Sequence, residues 1–197
     1  MTTRCHSAIS PALLVCLALL QLAACGGGSD AEAASATPVP SPTTPTEPGA
    51  SPSALACPGL PAPAQILAAV NAVRAQALNC GTKAYAAAAP LAWNAALASA
   101  AQGHSDDMAS LNYFSHTSRD GRQFDQRASQ AGYTGGFLAE NIAAGQGSLQ
   151  SALNSWVGSP GHCANLMDPD YTDVALACAT RSGTTYGTYW TLMAGAR

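Results

Sequence analysis

Six prolines between residues 38 and 52, set among Gly, Ala, Ser and Thr, decide where this chain can build a core. From Gly26 to Ala56 there is almost no large apolar side chain, so burial cannot offset the conformational entropy lost on ordering. Prolines spaced in this way favour extended polyproline segments that rise about 3.1 Å per residue. Residues 25–56 therefore read as a disordered tether. Folding is confined to residues 57–197, a length typical of one domain.

What precedes the tether reads as a leader. Residues 8–20, AISPALLVCLALL, form an apolar run behind Arg4. The run is short of the roughly 20 apolar residues that a bilayer span takes and fits the core of a secretory signal peptide. Leu-Ala-Ala-Cys at 22–25 closes it and resembles a bacterial lipobox, in which the cysteine is acylated and becomes the new N-terminus. Ordinary cleavage at a small-residue site is the competing reading. The place of Cys25, at the end of the apolar core and ahead of a tether, favours lipidation. Acyl chains then hold the protein at the membrane, each buried CH₂ contributing about 0.8 kcal/mol. Gly26, where an aspartate would retain a lipoprotein at the inner membrane, resembles an outer-membrane signal. The expected organisation is a signal peptide at 1–24, a lipidated and tethered segment at 25–56, and an exported domain at 57–197, at the outer membrane or cell surface.

The formal net charge is −3 and Lys83 is the one lysine. Without clustered basic side chains, nucleic acid is excluded as a partner. Cys57, Cys80, Cys163 and Cys178 remain in the domain, an even number that in an exported protein predicts two disulfides among three possible connectivities. Nearest-neighbour geometry favours Cys57–Cys80 and Cys163–Cys178. A helix over 64–78 rises about 21 Å, and the extended segment from Cys57 to Ala64 covers about the same distance. The second bond closes a short loop, worth about 3 kcal/mol in the chain-entropy model. Cys163 as a nucleophile with the adjacent His162 as its base is the competing reading. Sequence neighbours rarely align in that way, and export favours oxidation.

Hydrophobic spacing lays out the elements. Ile66, Leu67, Val70, Val73 and Leu78 predict an amphipathic helix over 65–78. A second helix runs from a cap at Asn94 to Ser110, and a shorter one ends at Gly132. FLAENIAAG reads as a strand ending at Gly145. SLQSALNSWVGS reads as a helix ended by Pro160, with Ser-Pro-Gly a turn. DVALACAT and TTYGTYWTLMAG read as two antiparallel strands joined through RSG. The fold class is α+β, a small antiparallel sheet with helices.

The ionisable inventory of 57–197 is short: His104, His116, His162 and the glutamate Glu140, beside scattered aspartates. HExxH, GxSxG, CxxC and a glycine-rich phosphate loop are all absent. His116, Glu140 and His162 each lie beside a turn or strand end, and together are the ligand set of some catalytic zinc sites if they converge. His104 shares a helix face with Leu97 and Met108 and reads as a core histidine held by a hydrogen bond. Asp106 and Asp107 read as a solvated helix edge, and Trp93, Trp156 and Trp190 as core aromatics.

Four blocks in order, LAWNAALASAAQGHSDDMASLNYFSH, AENIAAG, WVGSPGHCANLM and YWTLMAG, resemble the bacterial branch of the CAP superfamily. That superfamily comprises cysteine-rich secretory proteins, insect venom antigens and plant pathogenesis-related proteins. The resemblance implies an α-β-α sandwich whose central cleft is lined by a tetrad, here His116, Glu140, Ser159 and His162. Ser159 stands where eukaryotic members often carry a second glutamate, which makes the site less acidic and removes a candidate base. Ala175 and Leu192 depart from the Gly and Gln common in bacterial members. The resemblance implies binding of a lipid, sterol, peptide or cell-wall fragment, with the tetrad as a polar or divalent-metal anchor, zinc being the candidate. The alternative is a metal-assisted hydrolase in which His116, Glu140 and His162 act on a bound or directly activated water.

Overall fold

The computed structural model describes residues 55–197. The leader, Cys25 and the tether up to residue 54 lie outside the described residues.

A four-stranded sheet in the order β3-β5-β6-β4 forms the middle layer. Its strands are β3 (Ala92–Trp93), β4 (Gly136–Ala144), β5 (Asp173–Thr180) and β6 (Thr188–Ala196). β5 and β6 are buried almost throughout, because both faces of the sheet are covered. Val174, Leu176, Cys178, Trp190 and Leu192 project to one face, where they pack with Ile66, Val70, Leu153, Trp156 and Leu166. These come from α1 (Pro63–Arg74), α4 (Leu149–Val157) and α5 (Pro160–Met167). Ala175, Ala177 and Met193 project to the other face, against Leu97, Ala101 and Ala128 of α2 (Ala95–Leu111) and α3 (Phe124–Gln130). The period of two along the strands thus builds two cores, and the architecture is the expected α-β-α sandwich.

Three boundaries differ from the sequence expectation. α1 ends at Arg74, not 78, and residues 78–80 form β1 (Leu78–Cys80), which pairs with β2 (Lys83–Tyr85). Arg74 is wholly buried and donates to the carbonyls of Ala89, Leu166 and Asp168, so a last-turn side chain clamps the end of α5. Pro160 does not finish a helix; it starts one, as the first residue of α5, where its fixed φ and missing N–H cost nothing. The β5–β6 connection is longer than RSG, running over residues 181–187.

The disulfide pairing is a correction. The bonds are Cys57–Cys178 and Cys80–Cys163, not Cys57–Cys80 and Cys163–Cys178. The incoming segment does not fold back along α1. It lies on β5, with Ala56 bridged to Ala179 and Cys57 N donating to Cys178 O at 3.0 Å. The β1–β2 hairpin in turn rests on α5: a Cβ at Gly81 would stand 3.1 Å from Pro160. Nearness in sequence is a poor guide once a sheet sets the neighbours.

Candidate functional site

β4 is an edge strand, and the candidate site is assembled around it from both layers. Glu140 and Asn141 are consecutive, so they project to opposite faces. Glu140 is buried on the α2/α3 side. Its Oε1 pairs with His116 Nδ1 at 2.8 Å, and its Oε2 accepts from Arg127 Nη2 at 2.5 Å. Arg127 also donates to Ser118 Oγ and to the carbonyls of Arg122 and His116, each at 3.0 Å. The loop carrying His116 is therefore wrapped around a buried guanidinium. With Nδ1 held by the carboxylate and the side chain 47 % exposed, His116 keeps Nε2 for a ligand.

Asn141 does the equivalent work on the other face. Its Nδ2 donates to His162 O at 2.9 Å, and its Oδ1 accepts from Asn165 at 2.8 Å. These bonds, Trp156 Nε1 on Ile142 O and the Cys80–Cys163 bond next door fix the first turn of α5 against β4. His162 is half-buried there. Burial first, and then the neighbouring His116, push its imidazole below the ordinary histidine range. Both favour the neutral imidazole, which has a lone pair to offer. Ser159 occupies the N-cap position of α5, and its hydroxyl makes no capping bond.

The structure thus joins His116 to Glu140 and ties His162 to β4 through Asn141, with Ser159 at the start of α5, but not as three ligands around one ion. Among the described residues no group of three His, Cys, Asp or Glu is placed to hold a metal. Glu140, with both oxygens engaged and a cation at one of them, stands behind His116 as its orienting carboxylate. His104 is a core histidine, as expected: wholly buried, its Nε2 lies 2.9 Å from Ser115 O and 4.0 Å from Glu140. Burial, chiefly, lowers its pKa. Asp106 and Asp107 are side-chain acceptors for Gln102 and Tyr113. Leu192 is buried in the α1/α4 core directly across from Asn141, so it contributes packing. Ala175 is wholly buried against the α2 layer. A surface hollow of about 800 Å³ lies elsewhere, beside Phe124, Tyr133 and Phe137.

Arg127 escaped the sequence reading. The available signal was charge balance, since a buried glutamate in a domain with few cations needs one of them.

The family model of the cysteine-rich secretory protein family, CAP, matches residues 67–193. The chain belongs to the CAP family. An uncharacterized membrane protein of Bacillus subtilis (strain 168), YlbC, is 34 % identical over 88 residues, covering 45 % of this chain and 25 % of that protein. The crystal structure of an extracellular SCP-domain protein from Bacillus anthracis superposes with a TM-score of 0.56 at 27 % identity, covering 68 % of this CAP chain and 40 % of that one. An outer surface protein of Borrelia burgdorferi shares the fold, with a TM-score of 0.51 at 19 % identity, covering 68 % of this chain and 88 % of that one. The match thus spans a quarter of YlbC and less than half of the Bacillus anthracis chain. These relatives are membrane, extracellular or surface proteins, and among the described residues no helix is long and apolar enough to cross a membrane.

Proposed function

We propose that this CAP protein is an exported, membrane-tethered binding module whose cleft beside β4 holds a lipid, sterol, peptide or cell-wall fragment through His116 and His162. The observation that carries this reading is the engagement of Glu140. Its oxygens are taken by His116 and Arg127 and its side chain is 1 % exposed, so the carboxylate orients His116 rather than meeting a ligand itself. What is left for a ligand is an exposed imidazole and a half-buried one. That set binds and orients polar groups. The extracellular and surface relatives and the lipobox-like LAAC support the location.

The donor set also fits a divalent cation such as zinc, in part. His116 Nε2 and His162 would hold it, with Glu140 orienting His116 from behind. Two protein ligands leave the rest of the coordination shell to water or to the bound molecule. A bound cation would act as a Lewis acid toward a ligand oxygen. The His116–Glu140 pair keeps a second reading alive, that of a hydrolase in which His116 takes a proton from water while Glu140 steadies the imidazolium.

The test is to incubate the mature protein with envelope lipids and with peptidoglycan fragments, and to recover what binds by mass spectrometry. A ligand recovered intact, with retention lost in His116→Ala, is the expected result. A ligand recovered cleaved, with cleavage lost in the same variant, would replace the binding reading by the hydrolase.

A further inference from the structure

Leu111, Phe114 and Tyr186 are large apolar side chains left 52 %, 42 % and 45 % exposed. Leu111 ends α2; Phe114 follows a left-handed turn at Asn112; Tyr186 comes from the β5–β6 connection. The rings of Phe114 and Tyr186 are 5.7 Å apart, and Tyr186 stacks edgewise on the buried Tyr189 at 5.9 Å. The patch is held in shape. Asn112 Oδ1 accepts from Thr185 N at 2.8 Å and from the Tyr189 hydroxyl at 3.1 Å. Two exposed arginines flank it, Arg119 lying 4.8 Å over the Tyr113 ring and Arg181 reaching Ser110 O. The acids nearby are occupied, Asp107 by the Tyr113 hydroxyl and Asp120 by Arg122.

The chain enters the described residues at this same end. Thr180 N donates to Leu55 O at 2.7 Å, and Leu55 packs in one cluster with Met108, Tyr113 and Tyr189. Leu55, at the end of the segment read as tether, is thus a neighbour of the patch.

We propose that Leu111, Phe114 and Tyr186, with Arg119 and Arg181, form a surface that docks on the headgroup layer of the bilayer in which the acylated Cys25 is anchored. The inference rests on the lipoprotein reading above. The amphipathic Tyr186 ring suits the membrane–water interface, Phe114 and Leu111 add apolar area to bury there, and the arginines meet anionic headgroups. The Pro-rich tether read from the sequence, extended at about 3.1 Å per residue, is long enough for the patch to meet the bilayer that holds Cys25. Tethering at that reach raises the effective concentration of bilayer at the patch, so a contact too weak to hold a free protein is occupied in the anchored one. Phe114 lies two residues before His116 in the same loop. Docking therefore brings the His116 side of the cleft to the membrane surface, where a ligand can pass from the bilayer.

The test uses the mature chain from residue 25 with Cys25→Ser, which carries no acyl group, sedimented with vesicles of phosphatidylethanolamine and phosphatidylglycerol. Weak binding is expected, reduced about tenfold by Phe114→Ser with Tyr186→Ser. Arg119→Gln with Arg181→Gln, or added salt, should reduce it several-fold, circular dichroism being unchanged. No binding by the Cys25→Ser chain, or binding indifferent to all four substitutions, would overturn the proposal. So would a dimer in sedimentation equilibrium that the Phe114/Tyr186 pair dissociates while vesicles go unbound, since the patch would then meet a second copy. Labelled fatty acid fed to cells making the wild type tests the anchor separately. An unlabelled protein would sink the lipoprotein reading, and the vesicle result on the Cys25→Ser chain would still decide the patch.

Discussion

With both oxygens engaged, Glu140 holds loop and strand together as well as orienting His116, so its replacement reports on the fold and the site at once. Arg127 and Glu140 form a buried pair, with side chains 4 % and 1 % exposed. Breaking such a pair from one side leaves an uncompensated charge and costs about 3–5 kcal/mol. Arg127→Met and Glu140→Gln should each lower stability by that order, and the double variant by clearly less than their sum, measured by urea denaturation. Additive losses would show that the two do not act as a pair. His104 supplies the pH signature. Its folded pKa is lowered by burial, so the unfolded chain binds the extra proton. The stability this neutral imidazole confers is full above the unfolded value of about 6.5 and is lost as the pH falls from there toward the folded pKa. The urea midpoint of the wild type should therefore drop more steeply from pH 7 to pH 5 than that of His104→Gln; parallel curves would contradict it. At this scale the burial of His104 was legible, because Leu97 and Met108 share its helix face. Arg127 was not. On a seven-residue helix an arginine reads as solvent-facing until its tertiary partner is known.

Helix and strand types were legible from periodicity, and the errors fall where a tertiary contact overrides a local rule. Pro160 marks a stop or a start with equal right, and only the packing of α5 on β4 and β1 decides. The cysteines show the same thing. A loop-length argument favours near neighbours, yet the sheet carries Cys178 to the incoming segment and the β1–β2 hairpin carries Cys80 to α5. The consequence is functional, since Cys80–Cys163 pins the turn that presents His162. Non-reducing peptide mapping should find Cys57 joined to Cys178 and Cys80 joined to Cys163. Peptides joining Cys57 to Cys80 would contradict the architecture of this end of the molecule. Each bond closes a loop of sequence separation 121 or 83, which the chain-entropy model values at about 4–5 kcal/mol. Cys80→Ser with Cys163→Ser should therefore lower the thermal midpoint markedly and weaken whatever binds at His162.

For the molecule as a whole, the sandwich places an edge strand between two layers that each deliver one histidine, His116 from the α2–α3 loop and His162 from α5. The layering followed from hydrophobic alternation and the resemblance together. The meeting of the two histidines did not, because it depends on β4 lying at the sheet edge, and strand order is not written in any single segment. The central claim is that these two side chains act as one site with Glu140 behind them. Calorimetric titration of Zn²⁺ into the wild type, His116→Ala and His162→Ala, at pH 7.5 and again near pH 5, tests it most directly. Imidazole must be neutral to coordinate, so affinity must fall with pH. One weak site in the wild type at the higher pH, abolished by either substitution and weakened at the lower pH, is the predicted result. Equal binding by all three proteins would show that His116 and His162 do not form a site together.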